Sequence, residues 1–405
     1  MAILAMTCSP GITSTQAMGT DASSSVSSPN FQVGDQLTVT ARDIAFGGEG
    51  VARVGEFVFF VPFLMSGEEA LVEVTEVKKR FGRATLKQLV KASPDRVTPV
   101  CPVFTECGGC QYQHIRYETQ LSVKHSQVAS LMERIGRFSA EVVHPVVPCP
   151  APYGYRNRIM IRSQWDKTEQ RLKIGFLKNE SRLVVDIDSC AIAEPEISDK
   201  IRQVRASPPP KGGMKVVLRV LPSGWIVPND SFFQNNFHAL PSLVDIVGAS
   251  LERGRCDALI DAYCGVGFFS LSLAHRLKRF IGVEIDGPAI TAARDNAKQR
   301  GITNGEFRTG RTEHALPAIL AELDPDRSCI LLDPPRAGCD PEALATIASQ
   351  RLRQIIYVSC HPATLARDLR TLCDTGGYQL TEVRPVDMFP QTQHVECVAT
   401  LDRLN

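Results

Sequence analysis

What this chain lacks is an excess of charge of either sign. Its 405 residues carry 45 Lys and Arg against 44 Asp and Glu, a formal net charge of +1. A binder of nucleic acid usually shows a basic excess, so the balance argues mildly against one. Long apolar runs are missing too. No stretch of about 18 consecutive apolar residues occurs, so no membrane span is expected. The start, "MAILAMTCSPGITSTQ", has no basic n-region and too short an apolar part for a secretory leader. A cytoplasmic location is therefore expected. Cysteine, by contrast, is plentiful at 13 residues. An odd number without an export signal argues against a disulfide framework and raises metal or catalytic roles. A hydrophobic share of 43% and a charged share of 22% suit a folded globular protein. The length exceeds one ordinary core and predicts two or three domains.

Residues 1–30 hold one charged residue, Asp21, among many Ser and Thr, and are expected to be a disordered tail. In residues 31–92, "DQLTVTARDI", "EFVFFVPF", "EALVEVTEVKK" and "GRATLKQLV" are short β-rich runs, with "AFGGEGVARVGE" read as glycine turns between the first two. Four or five short strands in that space predict a small β-barrel. Residues 93–233 read as a central α+β domain. Its "YETQLSVKHSQVASLMERIG" has helical spacing with Gly136 as the stop, and its "RNRIMIRSQ", "LKIGFLK" and "MKVVLRVLPSGWIV" are strand-like. Two stretches, "EVKKRFGRATLKQLVK" and "YGYRNRIMIRSQ", are locally basic; such runs are usually just solvated faces. From residue 234 to 405, strands and helices alternate, the pattern of a parallel sheet covered on both faces. The last two strand-like runs have no helix between them and predict an antiparallel hairpin at one sheet edge.

In "LIDAYCGVGFFSLSLA", Asp261 falls near a strand end, with Gly265 and Gly267 in the turn after it. Glycines there let the backbone approach a ligand. Glu284 ends the next strand, about 20 residues on, where an acid can accept from a ribose diol. The full Gly-x-Gly-x-x-Gly spacing is absent, which argues against a pyrophosphate-bearing dinucleotide. S-adenosylmethionine carries no phosphate and needs only close approach, an adenine slot and a diol acceptor. Asp333-Pro334-Pro335 is a stiff segment at the end of the fourth strand and can fix a carboxylate against such a ligand. Gln234, in "PNDSFFQNNFHAL", can hydrogen-bond cofactor or pyrimidine, and Phe232 can stack on a base.

Cys360 ends the apolar run "IIYVSC", just before a helix opened by His361-Pro362. A helix N-terminus lowers a thiol pKa, so a reactive thiolate is expected. Methylating an amine or a hydroxyl needs no thiolate, whereas pyrimidine C5 is a poor nucleophile. Addition of sulfur at C6 turns C5 into an enolate carbon, and a base must later remove the C5 proton. Glu396, in the strand "HVECVATL", placed at the sheet edge, is the candidate base. Cys101, Cys107 and Cys110 lie within ten residues, a metal-ligand spacing, and Cys190 offers a fourth thiolate. Zinc and an iron–sulfur cluster both suit four thiolates. The other cysteines read as structural.

Together these blocks resemble the RNA uracil-5-methyltransferases, in particular the 23S rRNA branch with an N-terminal TRAM domain and a [4Fe–4S] cluster. "GGEGVARVGEFVFFVPFLMSGEEALVEV" looks like TRAM, an OB-like RNA-binding barrel. "CPVFTECGGCQYQHIRYETQLSVKHSQV" with "DSCAI" looks like the cluster motif. "FFQNN", "DAYCGVGFFSLSLA", "GVEI", "LLDPPRAG", "VSCHPATLARDL" and "HVECVATL" follow the catalytic blocks in order. The resemblance implies an α/β, Rossmann-like class I methyltransferase domain at 234–405, a TRAM barrel at 31–92 and a central iron–sulfur and RNA-binding domain at 93–233. It implies that Gln234, Tyr263, Glu284 and Asp333 bind S-adenosylmethionine. It makes Cys360 the nucleophile and Glu396 the base, and it favours a [4Fe–4S] cluster on Cys101, Cys107, Cys110 and Cys190 over zinc. One stretch departs from the pattern: "FRTGRTEH" brings Arg311 near the third strand. The expected product is 5-methyluridine in 23S rRNA, made by a monomer that binds no membrane. The barrel and the cysteine motif disfavour the tRNA branch, which usually lacks both. The alternatives are a tRNA uracil-5 enzyme, an RNA cytosine-5 enzyme and a non-catalytic RNA-binding assembly factor.

Overall fold

The computed structural model describes residues 31–208 and 213–404. The tail expected at 1–30 lies outside the described residues.

Five strands close a barrel in the order β1-β2-β3-β5-β4. They are β1 (Gln36–Ile44), β2 (Glu49–Val54), β3 (Phe57–Pro62), β4 (Glu69–Val77) and β5 (Phe81–Lys91). Alternation drives closure: Phe57, Phe59 and Val61 of β3 point inward beside Val39, Ala52, Val72 and Val74. A Cβ at Gly82 would stand 2.5 Å from the Phe59 ring, so glycine is what lets β5 lie against that ring. One expectation is corrected here. The middle of "AFGGEGVARVGE", Glu49–Val54, is not turn but strand β2, and its small residues disguise it; Ala52 is fully buried. Gly47, Gly48 and Gly55 make the turns, all at positive φ.

The central region starts with helix α1 (Tyr117–Leu131), which runs on as a wider turn to Gly136. Arg137, at φ 55°, takes the left-handed position that ends it. Much of the buried face of α1 is polar, which apolar spacing could not show. Gln127 Nε2 donates to the carbonyls of Ile44 and Ala45 at 3.0 and 2.9 Å. Gln120 Nε2 donates to Gln391 Oε1 at 3.0 Å, and Lys124 Nζ meets Asp387 Oδ1 at 2.6 Å with both side chains fully buried. The helix thus joins the barrel to the C-terminal domain. A four-stranded antiparallel sheet follows in the order β8-β7-β6-β9. Its strands are β6 (Arg158–Asp166), β7 (Arg171–Leu177), β8 (Val184–Asp186) and β9 (Lys215–Arg219). Helix α2 (Pro195–Ala206) covers one face, packing Ile197 and Ile201 on Ile159, Ile161, Ile174 and Leu218.

The C-terminal domain opens with α3 (Leu240–Gly254). A seven-stranded sheet then runs in the order β12-β11-β10-β13-β14-β16-β15. The parallel strands are β10 (Ala258–Ala262), β11 (Arg279–Glu284), β12 (Gly305–Thr309), β13 (Ser328–Leu332) and β14 (Gln354–Ser359). Helices α4 (Phe268–Leu273), α5 (Gly287–Gln299), α6 (Thr312–Leu320), α7 (Pro341–Gln350) and α8 (Pro362–Gly376) connect and cover them. All of β13 and β14 is buried, as expected of strands covered on both faces. The last strands, β15 (Tyr378–Val386) and β16 (Glu396–Arg403), pair antiparallel as expected. However, β16 slots between β14 and β15 and is not an edge strand. The strand order turns round between β10 and β13, which opens a crevice beyond their carboxyl ends.

Candidate active site

That crevice is a cavity of about 710 Å³. All six residues singled out for cofactor and catalysis line it: Gln234, Tyr263, Glu284, Asp333, Cys360 and Glu396. Tyr263 follows β10 at φ 66°, a left-handed kink that turns the chain out of the sheet. Gly267, at φ 84°, could not carry a Cβ, which would stand 2.7 Å from the Phe307 ring. Glu284 ends β11 with both oxygens held, Oε2 by the Gly265 N–H at 3.1 Å and Oε1 by the Asp286 N–H at 3.0 Å. Asp333 follows β13, and Gln234 Nε2 donates to its Oδ2 at 3.3 Å. Phe232 lines the mouth and is 57% exposed.

Four carboxyls meet in and beneath this crevice. Asp261 is fully buried; one oxygen accepts from the Ser270 amide and hydroxyl, and the other has no partner. Burial, opposed by Ser270 and reinforced by Glu284, pushes its pKa up to about 6. Burial and then the charges of Asp261 and Glu284 push Asp333 up to about 7. Burial, then Asp333, drives Glu396 well above the usual carboxylate range, while Arg336 opposes them. A set of buried acids that raise one another's pKa suits a cationic ligand.

Cys360 lies between β14 and α8, where His361 caps the helix by accepting from the Thr364 N–H at 3.3 Å. The expected thiolate is corrected by this environment. Burial, then the neighbouring Glu396, pushes the Cys360 thiol up to about 11, with Arg336 acting the other way. A helix N-terminus is worth about 0.3–1 kcal/mol to a nearby anion, and burial with an adjacent acid outweighs it here. Glu396 is not an outward-facing acid on an edge: it is 4% exposed, in the inner strand β16.

Arg336 was overlooked in the sequence, although it sits inside "DPPRAG". Its loop is fastened to α8. Thr364 Oγ1 donates to the Arg336 carbonyl at 3.1 Å, and Arg367 Nη2 to the Ala337 carbonyl at 2.8 Å. Asp368 Oδ2 accepts from the Cys339 N–H at 3.0 Å and the Tyr357 hydroxyl at 2.7 Å. His394 and Arg156 also line the crevice unforeseen. Burial, then Arg336 and Arg156, lowers His394 to about 4 and keeps it neutral.

A second cavity, of about 250 Å³, lies under the central sheet. Cys101, Cys107, Cys110 and Cys190 all line it, with Phe104, Phe176 and Ile192. Burial and the neighbouring sulfurs raise Cys107 to about 11 and Cys110 to about 12; burial raises Cys190 as well. Among the described residues, no group of three or more His, Cys, Asp or Glu side chains is placed to hold a metal ion. The four cysteines share a cavity but do not form a ready-made ion site.

The strand order with its inserted final strand is that of the class I, S-adenosylmethionine-dependent methyltransferase fold, with acids within β10, at the end of β11 and just after β13 beside its crevice. Residues 223–404 match the model of the tRNA (Uracil-5-)-methyltransferase family, and residues 30–87 match the TRAM domain. A Halalkalibacterium halodurans protein named as an uncharacterized RNA methyltransferase is 33% identical over 92% of this chain and 98% of its own. One from Nostoc sp., similarly named, is 31% identical over 91% and 96%. The solved Pyrococcus abyssi tRNA (uracil-54, C5)-methyltransferase, in complex with S-adenosyl-L-homocysteine, aligns with a TM-score of 0.67 at 26% identity, over 90% of this chain and 100% of its own. The chain belongs to the RNA uracil-5-methyltransferase family.

Proposed function

We propose that this RNA methyltransferase acts on uracil C5, through a covalent bond from Cys360 to C6 and proton removal by Glu396. The observation that carries the reading is a half-buried thiol within charge range of a buried carboxyl, in the cavity that also holds Glu284 and Asp333. Transfer to nitrogen or oxygen calls for neither group; transfer to a pyrimidine carbon calls for both. A cytosine-5 enzyme would need the same pair, and the uracil-5 description of the matching family model favours uracil.

Glu284 would hold the ribose diol of S-adenosylmethionine, whose sulfonium supplies the methyl group. Gln234, Tyr263 and Asp333 would flank it. Its positive charge would offset the mutual repulsion of Asp261, Asp333 and Glu396 and favour the ionised form of Glu396. The Cys360 proton is lost to water while Arg336 stabilises the thiolate. Sulfur then adds to C6. Bound S-adenosylmethionine would supply its methyl group to the C5 carbon that the Cys360 adduct makes nucleophilic, its sulfur leaving as a neutral thioether. Glu396 takes the C5 proton, the C5–C6 double bond re-forms, and Cys360 leaves as thiolate.

We further propose that Cys101, Cys107, Cys110 and Cys190 hold a [4Fe–4S] cluster. Four cysteines lining one apolar cavity support it. A cluster gives each cysteine its own iron, so it accepts sulfurs more widely separated than a single tetrahedral zinc does.

The domain content read from the sequence favours 23S rRNA. The Pyrococcus abyssi tRNA enzyme aligns with 90% of this chain, so barrel and central domain no longer separate the two substrates. The resemblance of the sequence blocks to the 23S rRNA branch still supports 23S rRNA as the proposed target, and the Pyrococcus abyssi match favours tRNA as a second reading. Nucleoside mapping by mass spectrometry in a deletion strain tests both. The reading expects 5-methyluridine to vanish from one RNA class and to return with the wild-type gene but not with Cys360→Ala. Unchanged 5-methyluridine in both classes, or loss of another modified nucleoside, refutes it.

A further inference from the structure

The basic stretch "RNRIMIRSQ" becomes strand β6, and its cations come to lie on one face. Pairing with β9 sets Arg158 opposite Arg219, Met160 opposite Val217, and Arg162 opposite Lys215. Two like-charge rungs thus flank an apolar rung. The rungs lie about 13 Å apart along the strands. Helix α2 covers the opposite face of the sheet, leaving this one open; Met160 is 46% and Val217 43% exposed. Like charges directly across a sheet are destabilising, and a face selected for stability alone would alternate them. Among the described residues none of these four cations is in an ion pair, and Arg158 Nε and Arg219 Nη2 have no hydrogen-bond partner although buried. Burial and the facing Arg158 lower the Arg219 pKa, the mark of an unneutralised pair. Other basic strand residues of the sheet are neutralised: Lys173 is held by Asp166 and Glu169, and Arg171 by Glu169 and Asp186.

The face leads to the crevice. Arg219 Nη1 donates to the carbonyls of Pro228 and Ser231, at 3.3 and 3.0 Å. The next residue, Phe232, is the exposed aromatic at the crevice mouth. Arg156, two residues before Arg158, lines the crevice itself.

We propose that this face is the track for the single-stranded RNA flanking the target nucleotide. Phosphates lie on the two cation rungs and a base rests on Met160 and Val217. The occupant is a polyanion because the rungs lack counter-charges. It is single-stranded because an exposed apolar rung between them serves an unstacked base, which a duplex does not offer. The cysteine cavity lies beneath this same sheet, lined by Ile159, Met160 and Phe176. This inference rests on the RNA methyltransferase reading and concerns docking alone.

The test uses the full-length protein, a single-stranded RNA oligomer and two variants. In Arg162→Ala with Lys215→Ala, two phosphate contacts are lost. The slope of log affinity against log salt then falls by about 1.4, so the deficit against wild type narrows about sevenfold between 50 and 200 mM salt. In Lys215→Glu a cross-strand ion pair with Arg162 replaces a repulsion, so the melting temperature holds or rises while RNA affinity falls at least tenfold. S-adenosylmethionine affinity stays unchanged in both. Wild-type RNA affinity and salt slope in either folded variant overturn the proposal. So does a Lys215→Glu protein that loses stability together with affinity, since the face is then structural. If RNA binding falls as stated but the modified base is not 5-methyluridine, the track stands and the uracil-5 reading fails.

Discussion

Replacing Asp333 by Asn should make the empty protein more stable and the enzyme worse. Asp333 is pushed from 3.8 up to about 7 by burial and two neighbouring acids. A carboxyl raised in the folded state lends full stability below its unfolded pKa and loses it as pH rises to the folded one. The wild type therefore carries a growing penalty between about pH 4 and pH 7, whereas Asn carries none. A shift of about three units is worth roughly 4 kcal/mol, an upper bound, because Asn offers a weaker acceptor to Gln234. That upper bound corresponds to roughly 8–16 °C in the melting of the methyltransferase domain. Scanning calorimetry of wild type and Asp333→Asn at pH 5 and pH 8 reads it. The variant should melt higher at pH 8, with most of the gain absent at pH 5. S-adenosylmethionine should raise the wild-type melting point more at pH 8 than at pH 5. S-adenosylhomocysteine, with a neutral sulfur, should lack that increment. A gain equal at both pH values, or a loss at pH 8, refutes the picture of repelling buried acids awaiting a cation.

Two further outcomes follow from the same geometry. Arg336→Gln removes the charge that opposes the upward shifts of Cys360 and Glu396. The acidic limb of its single-turnover pH–rate profile should move up by about one unit, with Arg336→Lys moving it less and cofactor affinity unchanged. Cys110→Ser should abolish bound iron in anaerobically purified protein, about four atoms per chain in the wild type, and lower the melting point while sparing S-adenosylmethionine binding. Zinc in place of iron in the wild type would contradict the cluster.

Local signals carried much of this molecule. The strand ends at Gly265, Glu284 and Asp333-Pro334 are readable because each candidate ligand group sits at or just past its own strand's carboxyl end. Sheet closure depends on pairing between distant segments, so the insertion of β16 between β14 and β15 left no local mark. The same holds for Glu396, whose burial follows from that insertion. The acidity of Cys360 was misjudged because helix position is written in the sequence and a facing carboxyl is not. Arg336 lies within "DPPRAG", but its position at the crevice depends on a loop fixed by Asp368 and Arg367 from another element. Strand β2 was missed because glycine and alanine at its buried positions look like turn.

The central claim is that Cys360 bonds to a pyrimidine of the substrate RNA. Incubation with S-adenosylmethionine and a transcript containing 5-fluorouridine blocks the final proton removal, because C5 then holds fluorine. The account predicts a denaturation-resistant protein–RNA complex, whose peptide map places the nucleotide on Cys360, and no complex with Cys360→Ala. If ordinary transcript is methylated under the same conditions and no such complex forms, or if it forms through another residue, the covalent mechanism is wrong.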